Sequence, residues 1–200
     1  MIEFEYLQIG LRGLANAHQA GTMAGHLGAA IVAGYFFGED QSDLPDEVFQ
    51  GIVGELKRVI AGEESFWWNA KQAGVTAADL FKPLPQQDPK PDGIEEIAQA
   101  LRQNVGETRQ SGHNIIFAAL AIRALKDHAE FATPAMIDGI CKLTVGFNKA
   151  HAGRGYYGKQ QGWLNGNQVK LEAANSFPAY ESVASMAETT CRELNATALV

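Results

Sequence analysis

Apolar residues recur at spacings of three and four along much of the chain, the signature of amphipathic helices. Between 48 and 60 they fall at Val48, Phe49, Ile52, Val53, Leu56, Val59 and Ile60. Pro45, Asp46 and Glu47 suit the first turn of that helix, where proline forfeits no hydrogen bond and acids face the positive end of the dipole. Lys57 and Arg58 suit its last turn, and Gly62 its cap. A second such helix is predicted over 136–147. Its inner face carries Met136, Ile137, Ile140, Cys141, the Thr144 methyl and Phe147, with Pro134 near the start and Thr133 as N-cap. Displaced by about 88 positions the two overlay: Val48 on Met136, Phe49 on Ile137, Gly51 on Gly139, Ile52 on Ile140, Val53 on Cys141. Cys141 therefore reads as a small core residue rather than a nucleophile.

Each amphipathic helix follows a stretch that is apolar on nearly all sides, 27–37 in one case and 115–125 in the other, where Arg123 is the interruption. Helices of that kind are buried. Both open on a Gly-His pair, Gly25-His26 and Gly112-His113. A leading helix is expected before each, at 3–19 and 94–107, and an aromatic loop after each outer helix, with Phe66-Trp67 in one and Tyr156-Tyr157 in the other. The pattern predicts an all-α fold built from a duplicated three-helix unit of about 88 residues, an α-hairpin repeat or α/α-toroid-like array. The chain 1–200 reads as a single domain with internal repeats at 1–81 and 94–165, joined by the proline-rich linker 82–93. A third unit begins at 178–200, where Tyr180, Val183, Ala187, Cys191 and Leu194 trace another leading helix. An uncapped repeat exposes apolar surface, so this end implies either a piece of a longer protein or a homo-oligomer joined through the open C-terminal repeat. Gly25, Gly28, Gly34 and Gly38 favour close approach of the inner helices, which points to a tightly curled toroid.

Composition narrows the class. With 200 residues, 46% hydrophobic and 20% charged, the chain fits one globular domain and is too apolar for disorder. Two cysteines, Cys141 and Cys191, exclude a disulfide scaffold and a cysteine-rich zinc site. A net charge of −7 argues against a nucleic-acid or anionic-membrane partner. The acidic start is unlike a signal peptide, and the uncharged stretch 22–38 is shorter than the roughly 20 residues a membrane helix needs. A cytoplasmic location is the expectation.

The chemistry lies in two features. A histidine in the first turn of a helix faces the positive dipole end and tends to stay neutral, able to act as a base, an acceptor or a ligand. His26 and His113 are such residues, whereas His18, His128 and His151 read as surface histidines. The aromatic loops set Trp67, Trp68, Tyr157 and Trp163 beside amides and charges, a composition suited to stacking on sugar rings. The His/Glu spacings of helical metal motifs are absent, so no metal and no cofactor is expected, although histidines from two repeats could converge on one ion. Phosphate-loop, dinucleotide and nucleophile-elbow motifs are absent as well.

The segment Ser111-Gly112-His113-Asn114-Ile115-Ile116-Phe117-Ala118-Ala119-Leu120-Ala121 resembles the Asn-Asn-His-x-x-x-x-Ala type of segment in toroidal polysaccharide lyases of the alginate-lyase kind, with Ser111-Gly112 in place of the paired asparagines. Phe66-Trp67-Trp68-Asn69 is loosely similar to aromatic segments of those enzymes. The resemblance implies that His113 serves as the basic or carboxylate-neutralising residue, Tyr156 or Tyr157 as acid/base and Arg154 as a carboxylate clamp, with His26, Asn114 and the tryptophans binding substrate. The functional expectation is a domain that binds a saccharide or other polar small molecule, with lyase-type acid/base chemistry as its catalytic form. The alternative of a different class is a non-catalytic helical repeat that mediates assembly.

Overall fold

The computed structural model describes residues 2–63, 65–106 and 109–168, with residues 182, 185, 188, 189, 191 and 192. The expected third unit at 178–200 therefore lies almost wholly outside the described residues. The longer helices are α1 (Glu5–Asn16), α2 (Gly25–Asp40), α3 (Asp46–Ile60), α6 (Ile94–Arg102), α7 (His113–Asp127) and α8 (Pro134–Gly146). The short α4 (Ala70–Ala73) and α5 (Ala77–Leu80) lead into the extended linker, and α9 (Gly158–Gln161) lies near the end of the continuous described part. Among the described residues the fold is all-α apart from one small hairpin. In it β1 (Arg154–Tyr156) pairs antiparallel with β2 (Trp163–Asn165), Tyr156 opposite Trp163. This hairpin departs from the aromatic loop expected there. Tyr and Trp are strand formers, their rings meet across the pair at 5.7 Å, and Gly158 and Gly162 supply the positive φ that the connection needs. Among the described residues no helix is long and apolar enough to cross a membrane.

Helix boundaries follow the local signals. Thr133 caps α8 by accepting a hydrogen bond from the Met136 amide. Gly62, at φ +86°, ends α3 as expected, and the Glu63 amide reaches back to the Arg58 carbonyl. The leading helix of the second half stops at Arg102, earlier than the periodicity suggested. The linker is tied to α8, because the Lys90 amide donates to the Ala132 carbonyl and the Gln87 side chain accepts from the Ala135 amide.

The core centres on α1, whose Leu7, Leu11 and Leu14 are fully buried and which packs against α2, α8, α5 and α7. Two glycines let backbones touch there. A Cβ on Gly28 of α2 would collide with the Leu14 amide nitrogen and lie 2.7 Å from the Gly10 carbonyl oxygen of α1. A Cβ on Gly139 of α8 would collide with the Ala15 carbonyl of α1. Of the four glycines singled out in α2, Gly28 alone meets the leading helix, and the set does not chiefly serve approach to the other inner helix as the sequence suggested. Gly34 admits Leu56 of α3 and Gly38 admits Ile2, while Gly25 alone of the four faces Phe117 of α7.

The two inner helices lie side by side and run in the same direction. Their first turns meet through His26 and His113, and their last turns through a two-point Arg123–Asp40 pair with Arg123 lying over the Phe36 ring at 3.8 Å. The one charge that interrupts the apolar run of α7 is thus a clasp. Being exposed, it adds little to stability. Contrary to its uniformly apolar sequence, α2 is not buried all round. Ala30, Ala33 and Phe37 line an exposed face, and Ile116 of α7 is exposed as well.

The overlaid outer helices sit in unlike surroundings. α8 is packed between α1, α6 and α7, whereas α3 packs chiefly on α2, and nothing lies within 4 Å of a Cβ placed on Gly51. Substituting the two overlaid glycines should therefore have opposite effects. Gly139→Ala should cost about 1–3 kcal/mol by overpacking, while Gly51→Ala should add about 0.5–1 kcal/mol from helix propensity. Urea unfolding of both variants checks the pair of signs.

Candidate functional site

The first turns of α2 and α7 bring together residues far apart in sequence. The His26 and His113 ring centres are 4.5 Å apart, with planes inclined at 49°. Phe117, one turn along α7 from His113, supports both: its ring stands edge-on to His26 at 5.4 Å and to His113 at 5.6 Å. Gly25 makes this possible, since a Cβ there would lie 2.7 Å from the Phe117 ring. On the other side Trp67 stacks flat on His26, with centres 3.7 Å apart and planes 3° from parallel. Phe66 lies against Trp67 at 4.8 Å and is 67% exposed, so the cluster opens outward through these two rings.

Both imidazoles are held by the same local device. Nδ1 of His26 donates to the Met23 carbonyl at 2.7 Å, and Nδ1 of His113 donates to the Gln110 carbonyl, each three residues back in a short 3-10 turn. A carbonyl can only accept, so in the neutral ring Nδ1 carries the proton and Nε2 keeps its lone pair. Burial holds His26 below the ordinary imidazole range, against the opposing pull of the Met23 carbonyl, and the neighbouring His113 lowers it further. His26 is therefore a neutral acceptor near pH 7.

The turns that carry the two histidines differ. Ahead of His26, residues Thr22–Ala24 form an ordinary right-handed 3-10 turn. Ahead of His113 the backbone is left-handed at three successive residues: Gln110 (φ +45°), Ser111 (φ +56°) and Gly112 (φ +91°). Two of them are not glycine, and such backbone costs roughly 1–2 kcal/mol per residue. The following loop clamps it. The Gln110 amide donates to the His151 carbonyl, the Ser111 amide to the Ala152 carbonyl, and Arg109 Nη1 to the Ala150 carbonyl. Gly153 presses against Ser111 so closely that a Cβ there would strike the Ser111 hydroxyl.

The other sequence-predicted residues are dispersed. Asn114 is buried, its amide donating to Asn104 Oδ1 at 2.8 Å, and Asn104 in turn donates to the Thr144 carbonyl and Asn148. This places Asn114 in the interior under the histidine turn. Trp68 is half-buried and donates from its indole to the Val75 carbonyl, a packing role, so the two tryptophans divide their labour. Arg154, Tyr156, Tyr157 and Trp163 lie on the exposed hairpin. Arg154 faces the Trp163 ring at 5.8 Å and Tyr157 covers Gly155, while the hairpin base adjoins the turn before His113 through Gly153. The structure thus joins His113 to His26 and Trp67 rather than directly to Tyr156 and Arg154. Phe66 and Phe117 belong to the cluster although neither was singled out as a site residue, and the four-residue spacing of Phe117 from His113 was the available signal. Burial, with Glu96 and Asp138 nearby, pushes the Cys141 thiol up to about 11, in keeping with a packing residue. His128, expected on the surface, is half-buried and stands against Phe4 and Phe131. Among the described residues no cluster of three or more His, Cys, Asp or Glu side chains is placed to hold a metal.

Comparison with protein-family models, with curated proteins and with solved structures finds no match.

The lowered His26 makes a linkage prediction. Its imidazole takes a proton more readily in the unfolded chain, so its contribution to stability is whole above the unfolded value of 6.5. That contribution is lost as pH falls through 6.5 toward the lower folded value. Thermal melts at about pH 8 and about pH 5 should show a smaller pH-dependent drop for His26→Gln than for the native chain. Equal slopes would mean that His26 titrates normally.

Proposed function

We propose that the paired-imidazole face binds a polar, ring-bearing small molecule of the saccharide class. The observation that carries this reading is the union of an exposed aromatic pair, Phe66 and Trp67, with two histidines whose Nε2 lone pairs are free to accept hydroxyl hydrogens. A flat apolar ring covers the C–H face of a sugar while neighbouring acceptors meet its hydroxyls. Lyase-type chemistry is the catalytic form of the same reading, because a neutral imidazole next to a bound substrate can take a proton. Tyr156 and Arg154 are its proposed acid/base and clamp, approaching from the hairpin anchored beside the His113 turn.

The duplicated-unit, toroid-like architecture belongs to this proposal. In its favour, the 3-10 turns Thr22–Ala24 and Gln110–Gly112, the inner helices and the starts of the outer helices recur at a nearly constant offset. The residues that end α2 and α7, Gln41 and His128, also share an unusual backbone, φ −123°, ψ 60° and φ −133°, ψ 71°. The second reading, an assembly module, is favoured by the exposed apolar side chains Ala30, Ala33 and Phe37 on α2 and Ile116 on α7.

A panel of neutral and uronic saccharides screened by thermal shift separates these readings, since a ligand of the native state raises the melting temperature. The expected result is a shift with at least one saccharide. His113→Ala should abolish it while lowering the unliganded melting temperature by only about 2–4 °C, the effect of roughly 1 kcal/mol in a domain of this size. Trp67→Ala should also abolish it. No shift across the panel, together with concentration-dependent self-association lost in Ile116→Arg, would favour the assembly module instead.

A further inference from the structure

We infer that His26 and His113 together form a binding site for a divalent transition-metal ion, held through the two Nε2 atoms. The inference goes beyond the saccharide reading and stands on the histidine geometry alone. The sequence spacing led to no metal being expected, with convergence of histidines from two repeats left as the alternative; here the two ligands do come from two helices.

Three observations support it. First, each ring has its Nδ1 fixed by a backbone carbonyl, which sets the tautomer and leaves Nε2 as the donor atom. An outer nitrogen tied to a carbonyl is the usual support of a metal-binding imidazole. Second, the rings are close enough to share one ion. Ring centres 4.5 Å apart are within the span that two imidazoles bridge through one ion held about 2.0 Å from each ligating nitrogen. Imidazole nitrogen suits Cu²⁺, Ni²⁺ and Zn²⁺, and Cu²⁺ stands at the top of the first-row affinity series. Third, the rings are already rigid. Trp67 stacks on one and Phe117 braces both, so little side-chain freedom is lost on binding.

Two protein ligands leave the remaining coordination positions to water or a small-molecule ligand. The ion is therefore exchangeable, and the fold does not depend on it. This differs from a structural zinc site, where four protein ligands close the shell.

Trp67 supplies the readout, because an ion on His26 sits next to the indole stacked on that ring and Cu²⁺ quenches it. The full chain, freed of metal with a chelator and then dialysed, is titrated near pH 7.5 with Cu²⁺, Ni²⁺ and Zn²⁺, followed by calorimetry and tryptophan fluorescence. The expected result is one tight Cu²⁺ site per chain, Ni²⁺ next and Zn²⁺ weakest, with quenching that disappears in Trp67→Phe. His26→Gln and His113→Gln should each weaken Cu²⁺ binding by at least about 100-fold, because losing a ligand costs no less than losing a group that supports one. A variant lacking His18, His128 and His151 should keep the site. Circular dichroism of each variant without metal confirms the fold, and Trp67 quenching in Phe117→Leu gives a readout with both ligands present. Binding that survives in the His26→Gln/His113→Gln double variant, or no saturable site in the native chain, overturns the inference. Saccharide binding is measured separately with chelator present, so failure of either reading is visible without the other.

Discussion

The structure depends on backbone-to-backbone contact along α1. Gly28 of α2 and Gly139 of α8 each lie where a methyl group would strike the α1 main chain. Because these contacts are against backbone, no rotamer change can relieve them, and the two helices are set at a distance fixed by the absence of two Cβ atoms. The site inherits that fixity. With α2 seated on α1, Gly25 at its start leaves room for the Phe117 ring, and the helix bearing Phe117 carries His113 one turn earlier. The meeting of two histidines from distant parts of the chain is thus a packing consequence and needs no bond between the imidazoles.

The two Gly-His pairs look equivalent in sequence, yet their glycines do different work. Gly25 has ordinary helical backbone and is needed for space, whereas Gly112 has open space around its Cβ position and is needed for its left-handed φ of +91°. The imidazoles nevertheless end in the same relation to their own backbones, Nδ1 to the carbonyl three residues back. The cost of the left-handed run at 110–112 falls on the His113 side alone, and the strap at 150–153 sustains it through backbone hydrogen bonds. Strain persists only where surroundings over-determine it. Here the surroundings are the hairpin base, so the hairpin and the His113 turn are mechanically one unit.

Much of this could be read from the sequence, and the remainder has identifiable physical causes. Spacings of three and four located α3 and α8, and nearly uniform apolarity located α2 and α7, within a few residues, because both patterns report local burial directly. The repeated Gly-His pair was visible because identical residues at a constant offset need no tertiary knowledge. What could not be read was set by partners. The overlay of Gly51 on Gly139 gives no hint that one faces solvent and the other the α1 backbone. Asn114 was read as a substrate-binding residue, but Asn104, ten residues away, draws it inward. Trp67 and Trp68 are adjacent and alike; only the Val75 carbonyl, waiting for an indole donor, separates the packed ring from the open one. The left-handed backbone at Gln110 and Ser111 has no signature in residues that rarely adopt it.

The fixed tautomer also limits what the site can recognise. With both Nδ1 protons committed to carbonyls, the neutral pair offers two acceptors and no donor. A partner must bring hydrogens or a positive charge. Hydroxyl groups satisfy the first condition and a divalent cation the second, so the two proposed occupants are answers to one electrostatic demand. They compete for the same lone pairs, but they are not exclusive. An ion on two imidazoles still has open positions, and sugar hydroxyls are oxygen ligands that could fill them while Phe66 and Trp67 cover the ring face. In that arrangement the aromatic pair sets which ring is accepted and the imidazoles set which atoms are gripped. The division follows from the geometry, because Trp67 lies flat on His26 and leaves the ring edge that bears Nε2 uncovered.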